Sequence, residues 1–180
     1  LEKDDEFNFM KALIANYILE GIYFYSGFSF FYNLGRNGKM PGTVQEIRYI
    51  NRDENTHLWL FRSLINDLRK ERADLFTDEH IKYYQAMLKE GVEEEISWGK
   101  YAIGDNIAGL NGKMVEDYIK YLGNLRAKGL GFDSLYEGYN EVPDSMKWVE
   151  EYADPNQVKT DFFEAKVSAY SKSSIIEDDL

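Results

Sequence analysis

Cysteine is missing from this chain of 180 residues. That excludes disulfides, zinc–thiolate sites and thiol nucleophiles, and it fits a cytoplasmic protein. Proline is nearly as scarce. Pro41, Pro143 and Pro155 are the only three, so nothing between residues 42 and 142 forces a helix to stop. Positive charge is also short. Against 32 Asp and Glu there are 21 Lys and Arg, a net charge of -11. Such an acidic chain does not act as a general nucleic-acid binder or cling to anionic membranes. Histidine occurs only as His57 and His80. The start, LEKDDEFNFM, is acidic and carries no secretory signal. It lacks an initiator Met, as expected of a processed chain or a piece of a longer one.

What is present is aromatic and helical in pattern. Hydrophobic residues make up 44% of the chain and aromatic ones 16%, enough for one domain with a thick core or a large interface. The pattern predicts helices over 5–34, 44–71, 78–101 and 113–128, with a loop at 34–42 and a break at 104–112. Thr43 and Glu46 have the spacing of a capping box at the start of the second helix. Residues 129–170 read as mixed short turns, and 171–180 as a mobile acidic tail. No internal repeat and no strand pattern stands out, so the fold class is all-α.

Two places carry chemistry. In NRDENTHLWL, Glu54 and His57 are three apart and project from one helix face. Glu-x-x-His is the element by which four-helix bundles hold a metal pair. Alone it equally describes a surface pair. The segment ANYILEGIYFYSGFSFFYN is almost wholly apolar yet contains Glu20. A carboxylate there is costly unless it is paired or bound to a metal. The polar residues within the run favour a buried bundle helix over a membrane span. Glu20, Phe24 and Phe28 are spaced i, i+4 and i+8, which predicts a carboxylate beneath a stack of phenyl rings. A dimetal bundle needs two single carboxylates and two Glu-x-x-His elements. Glu20 supplies one carboxylate and Glu54 with His57 one element. His80 has Thr77 three residues before it, so there is no second element and the chain holds half a site. His80 itself reads as a surface residue.

LEGIYFYSGF and IRYINRDENTHLWL, with YIKYLGNLRAKGLGF and the closing DFFEAKVSAYSK and EDDL, resemble the second half of the radical-generating small subunit of ribonucleotide reductase. The resemblance implies a ferritin-like helical bundle completed by a partner chain, and a dinuclear centre that is usually diiron, sometimes Mn/Fe or Mn/Mn. It implies that Glu20, Glu54 and His57 are metal ligands and that Phe24 and Phe28 line the pocket near the radical site. Asp53 matches an aspartate that hydrogen-bonds a first-half histidine and belongs to the electron-transfer route. Arg52 beside it is expected in a structural ion pair. Tyr170 matches the tyrosine that relays the radical. The end, Ile175, Ile176, Glu177, Asp178, Asp179 and Leu180, matches the segment that docks on the large subunit.

The first-half ligands, the usual radical tyrosine and the tryptophan that starts the relay have no counterpart in this sequence. The implied partners are therefore a segment carrying the first half, a second copy to form a dimer, and the large subunit. The expected domains are 1–170, the helical half, and 171–180, the tail. Two rivals remain: a dimetal oxidase or hydroxylase acting on a small molecule, and a metal-free structural protein. Tyr170 and the acidic tail count against the first, Glu20 against the second.

Overall fold

A computed structural model describes residues 3–153. Tyr170 and the tail residues 175–180 lie outside them. Among the described residues the regular structure is entirely helical: α1 (Lys3–Gly21), α2 (Tyr25–Arg36), α3 (Pro41–Glu71), α4 (Asp78–Ile103), α5 (Gly112–Gly129) and α6 (Lys147–Ala153). Short 3-10 turns at Ala73–Phe76 and Asp144–Met146 join α3 to α4 and lead into α6.

The expected first helix over 5–34 is two helices. Hydrogen bonding slips across Ile22–Phe24. Tyr23 N reaches back five residues to Ile18 O at 3.4 Å, whereas Tyr25 N reaches back only three to Ile22 O at 3.3 Å. The regular pattern resumes with Phe28 N on Phe24 O at 2.9 Å. No proline marks the slip, so the sequence pattern ran straight through it.

The start of α3 also differs from expectation. The helix begins at Pro41, ahead of the Thr43 cap, and Met40 precedes it with φ 49° and no side-chain cap. Proline at the first helical position has its φ pre-set and needs no partner for an N–H it lacks. Thr43 is thereby inside the first turn. By contrast, α4 and α5 have side-chain caps. Thr77 accepts from His80 N, and Asn111 Oδ1 accepts from Met114 N at 2.9 Å. The His80 ring is half-buried, stacked on Phe7 with centroids 4.7 Å apart, and is not the freely exposed residue expected.

Tyr17, Tyr32, Tyr84 and Tyr118 are among the largest fully buried side chains. Each hydroxyl has a partner, as buried phenols require: Arg126 O, Asn51 Nδ2, Leu75 O and the Glu150 carboxylate, all between 2.9 and 3.1 Å. On α4 the glycines let neighbours come close. A Cβ at Gly91 would lie 2.5 Å from Ile18 Cγ2, so α1 and α4 touch nearly backbone to side chain there. The irregular stretch after α5 is held by Asn124. Its amide donates to Tyr136 O and Tyr139 O and accepts from Leu135 N and Tyr136 N.

α3 is the longest helix, yet its buried residues are Val44, Asn51, Leu58 and Ile65, one every seven positions. This narrow seam faces the rest of the bundle. The neighbouring seam, 50, 57 and 64, lies about 100° round the helix. It holds Ile50 and Leu64, both exposed, on either side of His57. No described helix is long and apolar enough to cross a membrane.

Candidate metal centre

Glu20 sits in the last turn of α1, and Glu54 and His57 on successive turns of α3. The packing of these helices brings the three together. His57 Nδ1 lies 3.1 Å from Glu54 Oε2 and 3.4 Å from Glu20 Oε2. One donor atom from each of the three lies within 4.8 Å of the others. The two carboxylate side chains are only 16% and 18% exposed, whereas His57 is 53% exposed. The cluster is thus closed on the carboxylate side and open beyond the imidazole.

The electrostatics are those of a crowded anionic site. Burial pushes the Glu20 carboxyl above its ordinary range, and the neighbouring Glu54 pushes the same way. The hydrogen bond to Glu54, reinforced by Glu20, raises His57. Two carboxylates facing each other with an imidazole between them favour a bound cation or a retained proton. Oxygen and imidazole donors without sulfur suit iron or manganese. The residues present therefore fit a metal pair in type.

Phe24 and Phe28 have ring centroids 6.3 Å apart, with Phe28 buried and Phe24 44% exposed. They wall an apolar groove of about 630 Å³ with Phe31, Ile50, Trp98 and Glu54. Glu54, rather than Glu20, shares that groove. Arg52 makes the expected ion pair, with Asp53: Nε and Nη2 donate to Oδ1 at 3.1 and 3.0 Å. Both side chains are more than half exposed. Asp53 therefore stands beside the cluster without joining it.

Among the described residues, two buried charged ones escaped the sequence reading. Glu95 of α4 is 5% exposed and accepts a hydrogen bond from Ser26 N at 2.9 Å; burial raises its carboxyl. Arg126 of α5 is 8% exposed and donates to Gly21 O and to the Tyr25 hydroxyl, each at 3.0 Å. The only available sign was position. Glu95 falls on the same 3.6-residue stripe as Leu88, Val92, Ile96 and Gly99, which its neighbours Glu93 and Glu94 do not.

The family model described as "Ribonucleotide reductase, small chain" matches residues 1–143. The chain belongs to the ribonucleotide reductase small-chain family. It is 64% identical over 171 residues to the ribonucleoside-diphosphate reductase subunit beta of Treponema pallidum, covering 95% of this chain and 49% of that protein. The subunit beta of Halalkalibacterium halodurans is 42% identical over 166 residues, covering 92% of this chain and 48% of that one. The ribonucleotide reductase R2 subunit from Clostridium botulinum superposes with a TM-score of 0.78 at 49% identity, over 82% of this chain and 46% of its own. The chain thus spans about half the length of the curated relatives it matches, and it shares the ferritin-like helical fold of the small chains.

Proposed function

We propose that this chain is the second half of a ribonucleotide reductase small subunit and supplies half of its dimetal centre. The observation that carries the reading is the convergence of Glu20 from α1 with Glu54 and His57 from α3 in a chain of this family. Glu20 and Glu54 would balance the charge of the metals, and His57 would donate through Nδ1, the nitrogen that faces both carboxylates. The remaining ligands and the radical residue come from a first-half segment that covers the open side of the cluster. When bound, the metal pair, diiron or manganese-containing, supplies the oxidising equivalent with which the large subunit reduces ribonucleotides to deoxyribonucleotides.

The other residues take supporting roles. Phe24 and Phe28 keep water from the Glu54 side of the centre. Asp53 exchanges its exposed pairing with Arg52 for a hydrogen bond to a first-half histidine. Tyr170 relays the radical, because its phenol can lose a proton and an electron together. Ile175 to Leu180 dock on the large subunit. Two such small subunits pair, and the enzyme works in the cytoplasm.

Metal titration tests the reading. With the first-half segment present, the protein should take up about two Fe(II) ions per site, and this chain alone should hold no stable pair. Two ions held tightly by this chain alone would sink the half-site assignment.

A further inference from the structure

The slip between α1 and α2 follows directly after Glu20, and two of the backbone groups it releases, one carbonyl and one amide, are held by buried charges from other helices. In an unbroken helix Tyr25 N would donate to Gly21 O and Ser26 N to Ile22 O. Here Tyr25 N has moved to Ile22 O. The vacated carbonyl of Gly21 accepts from Arg126 Nε at 3.0 Å. The displaced amide of Ser26 donates to Glu95 Oε1 at 2.9 Å. The signs agree with the helix poles. The cation caps the carbonyl end of α1 and the carboxylate caps the amide end of α2. Among the described residues neither Arg126 nor Glu95 has an ion-pair partner within 4.0 Å. What these buried charges face is the break itself.

Gly21 makes the grip possible. A Cβ there would lie 3.1 Å from Arg126 Nε and 2.7 Å from Leu58 Cδ1. Arg126 also reaches the second ligand helix. Its Nη2 donates to the Tyr25 hydroxyl at 3.0 Å, and that hydroxyl faces Asn55 Oδ1 at 3.5 Å. One guanidinium thus joins the peptide next to Glu20 to the residue next to Glu54.

We infer that Arg126 and Glu95 are positioning residues of the metal centre, a clamp of opposite charges that holds the α1–α2 slip and so sets where Glu20 stands against Glu54 and His57. Its functional half rests on the dimetal reading; its structural half, the held slip, does not.

The test uses this chain assembled with the first-half segment under argon, with Co(II) as the probe. Its visible absorption bands report the ligand field. Amide exchange at residues 22–26 is read in parallel. Glu95→Ala should expose the Ser26 amide to exchange, shift the Co(II) bands and weaken Co(II) binding by about tenfold, the lower end for losing an outer partner of a metal site. Glu95→Gln, which keeps an acceptor oxygen, should restore most of each. Arg126→Gln should act like Glu95→Ala, and Arg126→Lys should fall between it and the parent. If a truncated variant does not fold, Glu95→Gln and Tyr25→Phe decide. Tyr25→Phe removes the hydroxyl between Arg126 Nη2 and Asn55 but leaves the bonds to Gly21 O and Ser26 N in place, so it should shift the Co(II) bands without exposing the Ser26 amide to exchange. Unchanged Co(II) bands and affinity in folded variants would overturn the clamp's effect on the metal. If the parent assembly takes up no Co(II), the dimetal reading fails. Ser26 exchange in Glu95→Ala then still decides whether the clamp holds the slip, and unchanged exchange would overturn that too.

Discussion

The α4–α5 pair and the α1–α3 face are built from similar residues and end in opposite states. On α4 and α5 the buried residues follow the ordinary helical stripe: Tyr84, Leu88, Val92 and Ile96 on one, Val115, Tyr118, Ile119 and Leu122 on the other. Their polar rim is closed by ion pairs that centre on Glu116, with Lys100 at 2.6 Å and Lys120 at 2.5 Å. On α3 only four of 31 residues are buried. Ile50, Leu60 and Leu64 stay exposed around His57, and Phe24 and Trp98 around the groove beside Glu54. Large exposed apolar patches are where proteins meet partners. The difference teaches that α4 and α5 bury an ordinary helical stripe against each other, whereas the face around the cluster keeps much of its apolar surface in the open. The cluster of Glu20, Glu54 and His57 opens on that exposed side.

The sharpest way to break this comparison is at the cluster. Glu20→Ala should abolish assembly of the metal pair in the presence of the first-half segment, measured as metal per protein. The melting of α4 and α5 should stay near that of the unvaried protein. Retention of two metals would show that the open face does not converge on Glu20.

Core truncation separates the two regions by stability. Leu88→Ala on α4, fully buried in the parent, should cost about 2–5 kcal/mol in urea unfolding. Leu60→Ala on α3, 55% exposed, should cost no more than about 0.5 kcal/mol in this chain alone. Leu60→Asp, read by sedimentation, should instead weaken association with the first-half segment. A large stability loss from Leu60→Ala would mean that the exposed face is already packed.

The smallest effect concerns the closed rim. Hydrogen bonds from Lys100 and Lys120 hold Glu116 down to about 2, against 4.5 for an ordinary glutamate. Folding therefore favours its ionised form. That contribution is complete above pH 4.5 and is lost as the pH falls from 4.5 toward 2. Glu116→Gln should lower stability at pH 7 modestly, as partly exposed pairs do, and should flatten the acid limb of the stability profile. Urea midpoints at pH 7 and near pH 3 would show it. An unchanged acid limb would assign acid sensitivity to the open side instead.

Much of this was legible in the residues. The lack of proline between 42 and 142 and the apolar periodicity mark out the helices. The spacing of Glu54 and His57, with Glu20 stranded in an apolar run, singles out the cluster. These features lie within one helix or one turn, where a 3.6-residue repeat determines which side chains share a face. The tertiary structure decided the rest. It split the helix predicted over 5–34, brought Glu54 to the groove walled by Phe24 and Phe28, and chose Glu95 out of a run of three glutamates. The reason is distance along the chain. The slip at Ile22–Phe24 is held by an amide–carboxylate bond across 69 residues and a guanidinium–carbonyl bond across 105. No local periodicity encodes a backbone hydrogen bond whose partner arrives only when the helices pack.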